Sequence, residues 1–136
     1  MKCMTIREVG KKAPNFELPN QNEENKTLDD YNGKWLVAYF YPRDDTPGCT
    51  VEAKEFTEQL DNFASEGAVV VGISPDTASK HCKFIDKHGL GMELLADTEK
   101  VMLADYGVWQ EKSMYGKTYM GVVRTTYLIN PAGEIA

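Results

Sequence analysis

Cysteine is scarce in this chain of 136 residues: it carries three, Cys3, Cys49 and Cys82. Three scattered thiols do not make a disulfide scaffold, the odd count leaves at least one unpaired, and no Cys-x-x-Cys pair is present to run dithiol exchange. No apolar run approaches the roughly 20 residues of a bilayer-spanning helix, and Met1-Lys2-Cys3-Met4-Thr5 lacks the apolar core of a secretory leader. A cytoplasmic protein is expected. Positive charge is also short, 15 Lys and Arg against 21 Asp and Glu, giving a net charge of −6. Without a basic patch, nucleic acid and anionic membranes are excluded as partners. There is neither an internal repeat nor a linker, and at 42% hydrophobic residues the chain can bury one core, so one domain over 1–136 is expected. In a reducing compartment disulfides tend to be transient and catalytic, and redox chemistry fits so few cysteines.

The pattern that is present alternates strands with helices. Ala13 to Pro19 reads as an extended lead-in, and Asn20 to Lys26 as a turn. Trp35 to Tyr41 is aromatic and β-branched, a strand signal, and Ala68 to Ser74 is a continuous apolar run suited to a buried central strand. Between them Phe56, Leu60 and Phe63 fall at helical spacing. Pro75-Asp76-Thr77 opens a second helix that stops near His88-Gly89, Met92 to Ala96 reads as short and extended, and Thr98 to Tyr106 as a third helix. Gly107 to Gly121 reads as mostly loop, its aromatics packing as a lid or hairpin, and Val122 to Ile129 as the last strand. This order argues for an α/β sheet with helices on both faces, whose active site lies at the C-terminal ends of the strands. Because the turn Asn130 to Gly133 is built to reverse, a further strand and a closing helix are expected beyond Ala136.

Cys49 stands where the strand ending near Tyr41 gives way to a helix. Thr46 suits the N-cap, Pro47 the first helical position, and Cys49 the third, where a capping box would set a carboxylate against unpaired amides. A thiolate is favoured in that place, since helix N-termini and nearby cations lower thiol pKa values from about 8.5 into the range of roughly 3.5 to 7.5.

The run Pro42-x-x-x-Thr46-x-x-Cys49 resembles the active-site signature of the peroxiredoxins. With Phe40-Tyr41-Pro42, Thr46 through Ala53, and Gly121-x-x-Arg124-x-x-Tyr127-Leu128-Ile129, the chain is similar to the bacterioferritin-comigratory (Q-type) subgroup, from Ala13-Pro14 to Gly133. The resemblance implies a thioredoxin-like α/β fold with a central mixed sheet flanked by helices. It implies reduction of hydrogen peroxide and alkyl hydroperoxides by Cys49, with recycling by thioredoxin or a similar dithiol, no metal, no other cofactor, and a monomer. Thr46 would direct its hydroxyl at sulfur and peroxide, and Arg124 would stabilise the thiolate and the charge developing on the breaking O–O bond. Pro42 would shield the pocket, and Glu52 would orient Arg124. Alternation sets Val122, Arg124, Thr126 and Leu128 on one strand face, where an arginine among apolar neighbours wants a partner.

Many Q-type relatives carry a resolving cysteine five residues after the first, where this chain has Lys54. Cys82, in the helix from Asp76 to His88, is then the candidate resolver, as in some Q-type members. It also shares a stripe with Ala78 and Ile85, which would make it an inert core thiol. Cys3 reads as a terminal thiol. A zinc site from His81, Cys82 and His88 is disfavoured by spacing. Two further readings stay open: one-cysteine catalysis resolved by an external thiol, and a non-catalytic peroxide sensor acting through the loop Trp109 to Met120. A thioredoxin-fold interaction module with a structural cysteine is the weakest.

Overall fold

The computed structural model describes residues 9–136; Cys3 lies outside them. At the centre is a four-stranded sheet in the order β5–β4–β3–β8, made of β3 (Trp35–Phe40), β4 (Ala68–Ser74), β5 (Glu93–Ala96) and β8 (Thr125–Ile129). β3, β4 and β5 run parallel, while β8 pairs antiparallel with β3 and sets Phe40 opposite Thr125. The sheet is therefore mixed.

Alternation along β3 divides the core in two. Leu36, Ala38 and Phe40 point into one cluster, with Val71, Ile73, Tyr127 and Ile129 and with Met102 and Leu103 of α4 (Val101–Asp105). Val37, Tyr39 and Tyr41 point into the other, with Cys49, Ala53, Phe84 and Leu94, beneath α1 (Pro47–Glu58), α2 (Leu60–Ser65) and α3 (Ala78–His88). Helices thus cover both faces. Gly72 in β4 is what lets the Tyr39 ring cross the sheet surface, since a Cβ there would stand 2.7 Å from Tyr39 Cζ and 2.8 Å from Leu94 Cδ2.

Several expectations need correcting. The extended lead-in and the turn are present, and what the sequence does not show is their pairing as a small antiparallel unit, β1 (Glu17–Pro19) with β2 (Asn25–Thr27). The helix after Cys49 breaks at Gln59 into α1 and α2. The helix expected over Thr98 to Tyr106 is only α4, because Asp97 accepts hydrogen bonds from Val101 N–H and Leu103 N–H and Lys100 turns left-handed at φ 60°. Residues expected to be mostly loop form the hairpin β6 (Trp109–Met114) and β7 (Lys117–Val122). The strand expected from Val122 to Ile129 is broken at Val123 and Arg124, so Val122 closes β7 while β8 begins at Thr125. The face shared by Val122, Arg124, Thr126 and Leu128 does not survive that break: Val122 is buried and the other three are exposed. Past the last turn, Ile135 makes an antiparallel bridge to Ile129.

Candidate active site

α1 begins at the C-terminal end of β3, and Cys49 is its third residue, 1% exposed. Pro47 has no N–H, and the first intrahelical bond is Thr50 N–H to Thr46 O at 2.8 Å, so the amides of Gly48 and Cys49 precede the hydrogen-bonded ladder. Thr46 has the extended backbone of an N-cap, but its hydroxyl caps no amide; it donates instead to Arg43 O at 3.3 Å.

Arg124 comes from the break between β7 and β8. Since β8 runs antiparallel to β3, the start of β8 lies beside the end of β3, which brings Arg124 to the helix start. Its Nη2 donates to Cys49 Sγ at 2.7 Å, and its Nη1 donates to Glu52 Oε1 at 3.0 Å. One planar guanidinium therefore bridges the sulfur and a carboxylate one turn along α1, a fork that the point charge of lysine does not reproduce. Burial pushes the Glu52 carboxyl above its ordinary range, Arg124 draws it back down, and Glu55 adds to the rise. The contact with Arg124 brings a positive charge and a hydrogen-bond donor to the sulfur.

Tyr39 floors the site, its ring stacked on Tyr41 at 5.4 Å and on Phe56 at 4.6 Å. Its phenol is held well above the usual range by burial first, then by the charges of Glu52 and Asp44. Pro42 and Thr46 line an open depression of about 630 Å³, with Arg43, Lys80, Tyr119 and Met120 around them. Of the five residues singled out in the sequence, Cys49 and Arg124 are in direct contact, with Pro42 and Thr46 in the loop that leads into α1.

Cys82 is elsewhere. It is half-buried on α3, whose inward stripe is His81 and Phe84 rather than Ala78, Cys82 and Ile85. The flank of α3 bearing Lys80, Phe84 and Lys87 faces Asp44 and Asp45 across a small depression. At about 100° per residue Cys82 lies roughly 160° around the helix from Phe84, on the flank turned away from that loop.

Sequence reading missed what ties this loop to α3. His81 is 0% exposed; its Nδ1 lies 2.6 Å from Asp44 Oδ2 and its Nε2 2.9 Å from Leu95 O. Tyr41 O–H donates to the other oxygen of Asp44 at 2.5 Å, and Asp44 N–H donates to Asp76 Oδ2 at 2.6 Å. Asp45, left-handed at φ 63°, pairs with Lys87 at 2.8 Å and His88 at 2.7 Å. The available signal was the spacing of His81, Phe84 and His88, which puts two histidines on the apolar stripe of α3.

Residues 9–136 match the AhpC/TSA family. The chain is 47% identical over 132 residues, 97% of its own length and 83% of the relative's, to peroxiredoxin Bcp of Bacillus subtilis (strain 168). It belongs to the peroxiredoxins, in the Bcp/PrxQ subgroup. Among solved structures this peroxiredoxin is similar to the Xanthomonas campestris bacterioferritin comigratory protein, seen in trapped intermediate/ligand complexes bearing on its alkyl peroxide reduction activity. That likeness has a TM-score of 0.88 and 34% identity, covering 95% of this chain and 85% of that one. A structure of Xanthomonas campestris peroxiredoxin Q gives a TM-score of 0.84 and 38% identity over 88% of this chain and 76% of that one. The peroxiredoxin therefore has the thioredoxin-like α/β fold that the resemblance implied. Among the described residues no helix is long and apolar enough to cross a membrane, and no cluster of His, Cys, Asp and Glu could hold a metal.

Proposed function

We propose that this peroxiredoxin reduces hydrogen peroxide and alkyl hydroperoxides with Cys49 as nucleophile. The observation that carries this reading is the 2.7 Å hydrogen bond from Arg124 Nη2 to Cys49 Sγ at a helix start. The thiolate attacks one oxygen of the peroxide along the O–O axis. That bond breaks, the other oxygen leaves as alkoxide or hydroxide and takes up a proton, and Cys49 becomes a sulfenic acid. Arg124 and the amides of Gly48 and Cys49 stabilise the charge as it moves from sulfur to the leaving oxygen, and Thr46 has only its 3.3 Å bond to Arg43 O to give up before its hydroxyl joins them. Pro42 keeps water from the sulfur.

Cys82 resolves the sulfenic acid as an intramolecular disulfide, and thioredoxin or a similar dithiol reduces it. Two similar structures of Xanthomonas campestris peroxiredoxin Q are cysteine-to-serine mutants at two different cysteines, which favours a two-cysteine reading. A second reading, resolution by an external thiol, is favoured by the place of Cys82 on α3, roughly 160° around the helix from the Phe84 flank that faces the Cys49 loop. Cys49→Ser should abolish peroxide turnover with a dithiol reductant, and retained turnover would overturn the proposal. Mass spectrometry after one equivalent of peroxide separates the two resolving routes: a Cys49–Cys82 disulfide supports the first, and a persistent sulfenic acid or mixed disulfide supports the second.

A further inference from the structure

We infer that the His81–Asp44 hydrogen bond is a latch between the Cys49 loop and α3, and that Cys82 reaches Cys49 only when the latch opens. The inference rests on the proposed role of Cys82 as resolver. His81 precedes Cys82 on the same helix, and the two side chains point about 100° apart around it: His81 is fully buried and Cys82 is half-buried. A disulfide needs the two Cα atoms roughly 4.4 to 6.8 Å apart with the Cβ atoms facing each other. To turn Cys82 toward the loop, α3 must rotate or unwind at this turn, and neither motion leaves His81 in place.

The bonding of His81 shows what that motion breaks. Leu95 O can only accept, so Nε2 carries a proton, and Nδ1 and Asp44 Oδ2 share another across 2.6 Å. The imidazole thus fastens α3 to β5 on one side and to the peroxide-facing loop on the other. Asp44 is itself held by Tyr41 O–H and by its own N–H to Asp76. The neighbouring clasp of Asp45 with Lys87 and His88 is more exposed to solvent, so the buried link is the stronger one. While it is closed, Pro42, Thr46 and Cys49 keep the arrangement that meets peroxide. When it opens, the Cys82 thiol attacks the sulfenic sulfur of Cys49, the S–S bond forms, the S–O bond breaks, and hydroxide leaves as water with the thiol proton. The sulfenic acid is the oxidant in that step.

Two substitutions separate the two ends of the latch. Asn places its amide near the position of Nδ1 and keeps the bond to Asp44, whereas Gln reaches the position of Nε2 and keeps only the bond to Leu95 O. After one equivalent of hydrogen peroxide, followed by acid quench and mass spectrometry, His81→Gln should form the Cys49–Cys82 disulfide about tenfold faster than wild type. That is the lower worth of a charge-assisted hydrogen bond. His81→Asn should follow wild type, and all three should share one rate of thiolate oxidation. Equal disulfide rates in the two variants, or a loss confined to the oxidation step, would overturn the latch and leave the peroxidase reading standing. A wild type that makes no Cys49–Cys82 disulfide would overturn Cys82 as resolver and the latch with it. Wild type alone gives a second measurement that survives any folding defect in the variants. The far-downfield proton signal of His81 Nδ1 should be present in the reduced protein and gone from the disulfide form, and its persistence there would overturn the inference.

Discussion

Gly48 makes room for Arg124: a Cβ at that position would stand 3.1 Å from Nη2, the nitrogen that donates to Cys49 Sγ. The glycine of the Thr-Pro-Gly-Cys run is thus a contact surface for a guanidinium 76 positions later in the chain. Gly48→Ala should push the guanidinium off the sulfur by a few tenths of an ångström without unfolding α1. The expected result is slower reaction with peroxide at unchanged thermal stability, measured by competition kinetics. Arg124→Ala should fall further, by about 100- to 1,000-fold, the usual effect of losing a donor aimed at developing charge.

Glu52 gives a pH test with a definite sign. Burial raises its carboxyl above the ordinary value, so the folded protein holds that proton more tightly than the unfolded chain does. Stability from this site is present below the unfolded value and lost as pH rises through the folded one. Glu52→Gln removes that loss. Its denaturation midpoint relative to wild type should therefore rise as pH is taken from about 4 to about 7, around the ordinary carboxylate range. A difference that shrinks over that range would contradict the assignment.

Asp45 behaves in the opposite sense. Hydrogen bonds from Lys87 and then His88 hold its carboxyl below the ordinary range, so its stabilising effect is present above the unfolded value and lost as pH falls through the folded one. Asn adopts the left-handed backbone as readily as Asp, so Asp45→Asn removes charge without adding strain. The variant should be slightly less stable than wild type at neutral pH and equal to it in acid, read from urea midpoints across pH.

Gly72→Ala should be costly for a different reason. The added methyl meets Tyr39 and Leu94 inside 3 Å, with a strand on either side to prevent relief. Overpacking of that kind costs about 1–3 kcal/mol, visible as a lowered melting temperature. Because Tyr39 floors the Cys49 site, the peroxide rate should fall along with stability.

How far the sequence revealed this molecule depended on whether a residue's neighbours were local. β3 and β4 were legible because both their faces are buried, which leaves continuous apolar runs, and the Cys49 helix start was legible because Thr46, Pro47 and Gly48 are adjacent to it. Arg124 could be attached to Cys49 only through the family resemblance, since the antiparallel pairing of β8 with β3 is what joins them. Residues 107–121 read as mostly loop, with a lid or hairpin as their packing, because residues 115–120 are all exposed and the β6–β7 pairing there leaves no alternation of burial to read. On α3 the sequence points to a stripe through Cys82 rather than His81 for a related reason. A buried histidine is read as polar until its carboxylate partner is known, and Asp44 lies 37 positions away.

The antiparallel seating of β8 has a consequence for engineering. Arg124 is indexed by the pairing of Thr125 with Phe40, while the hairpin ahead of it closes at Tyr115, 96% exposed, and Gly116, both left-handed. The tip of that ribbon can therefore be lengthened, or replaced by a peptide tag or fluorophore site, without moving the guanidinium. It offers a place to attach a reporter at an exposed turn while the sulfur chemistry runs undisturbed.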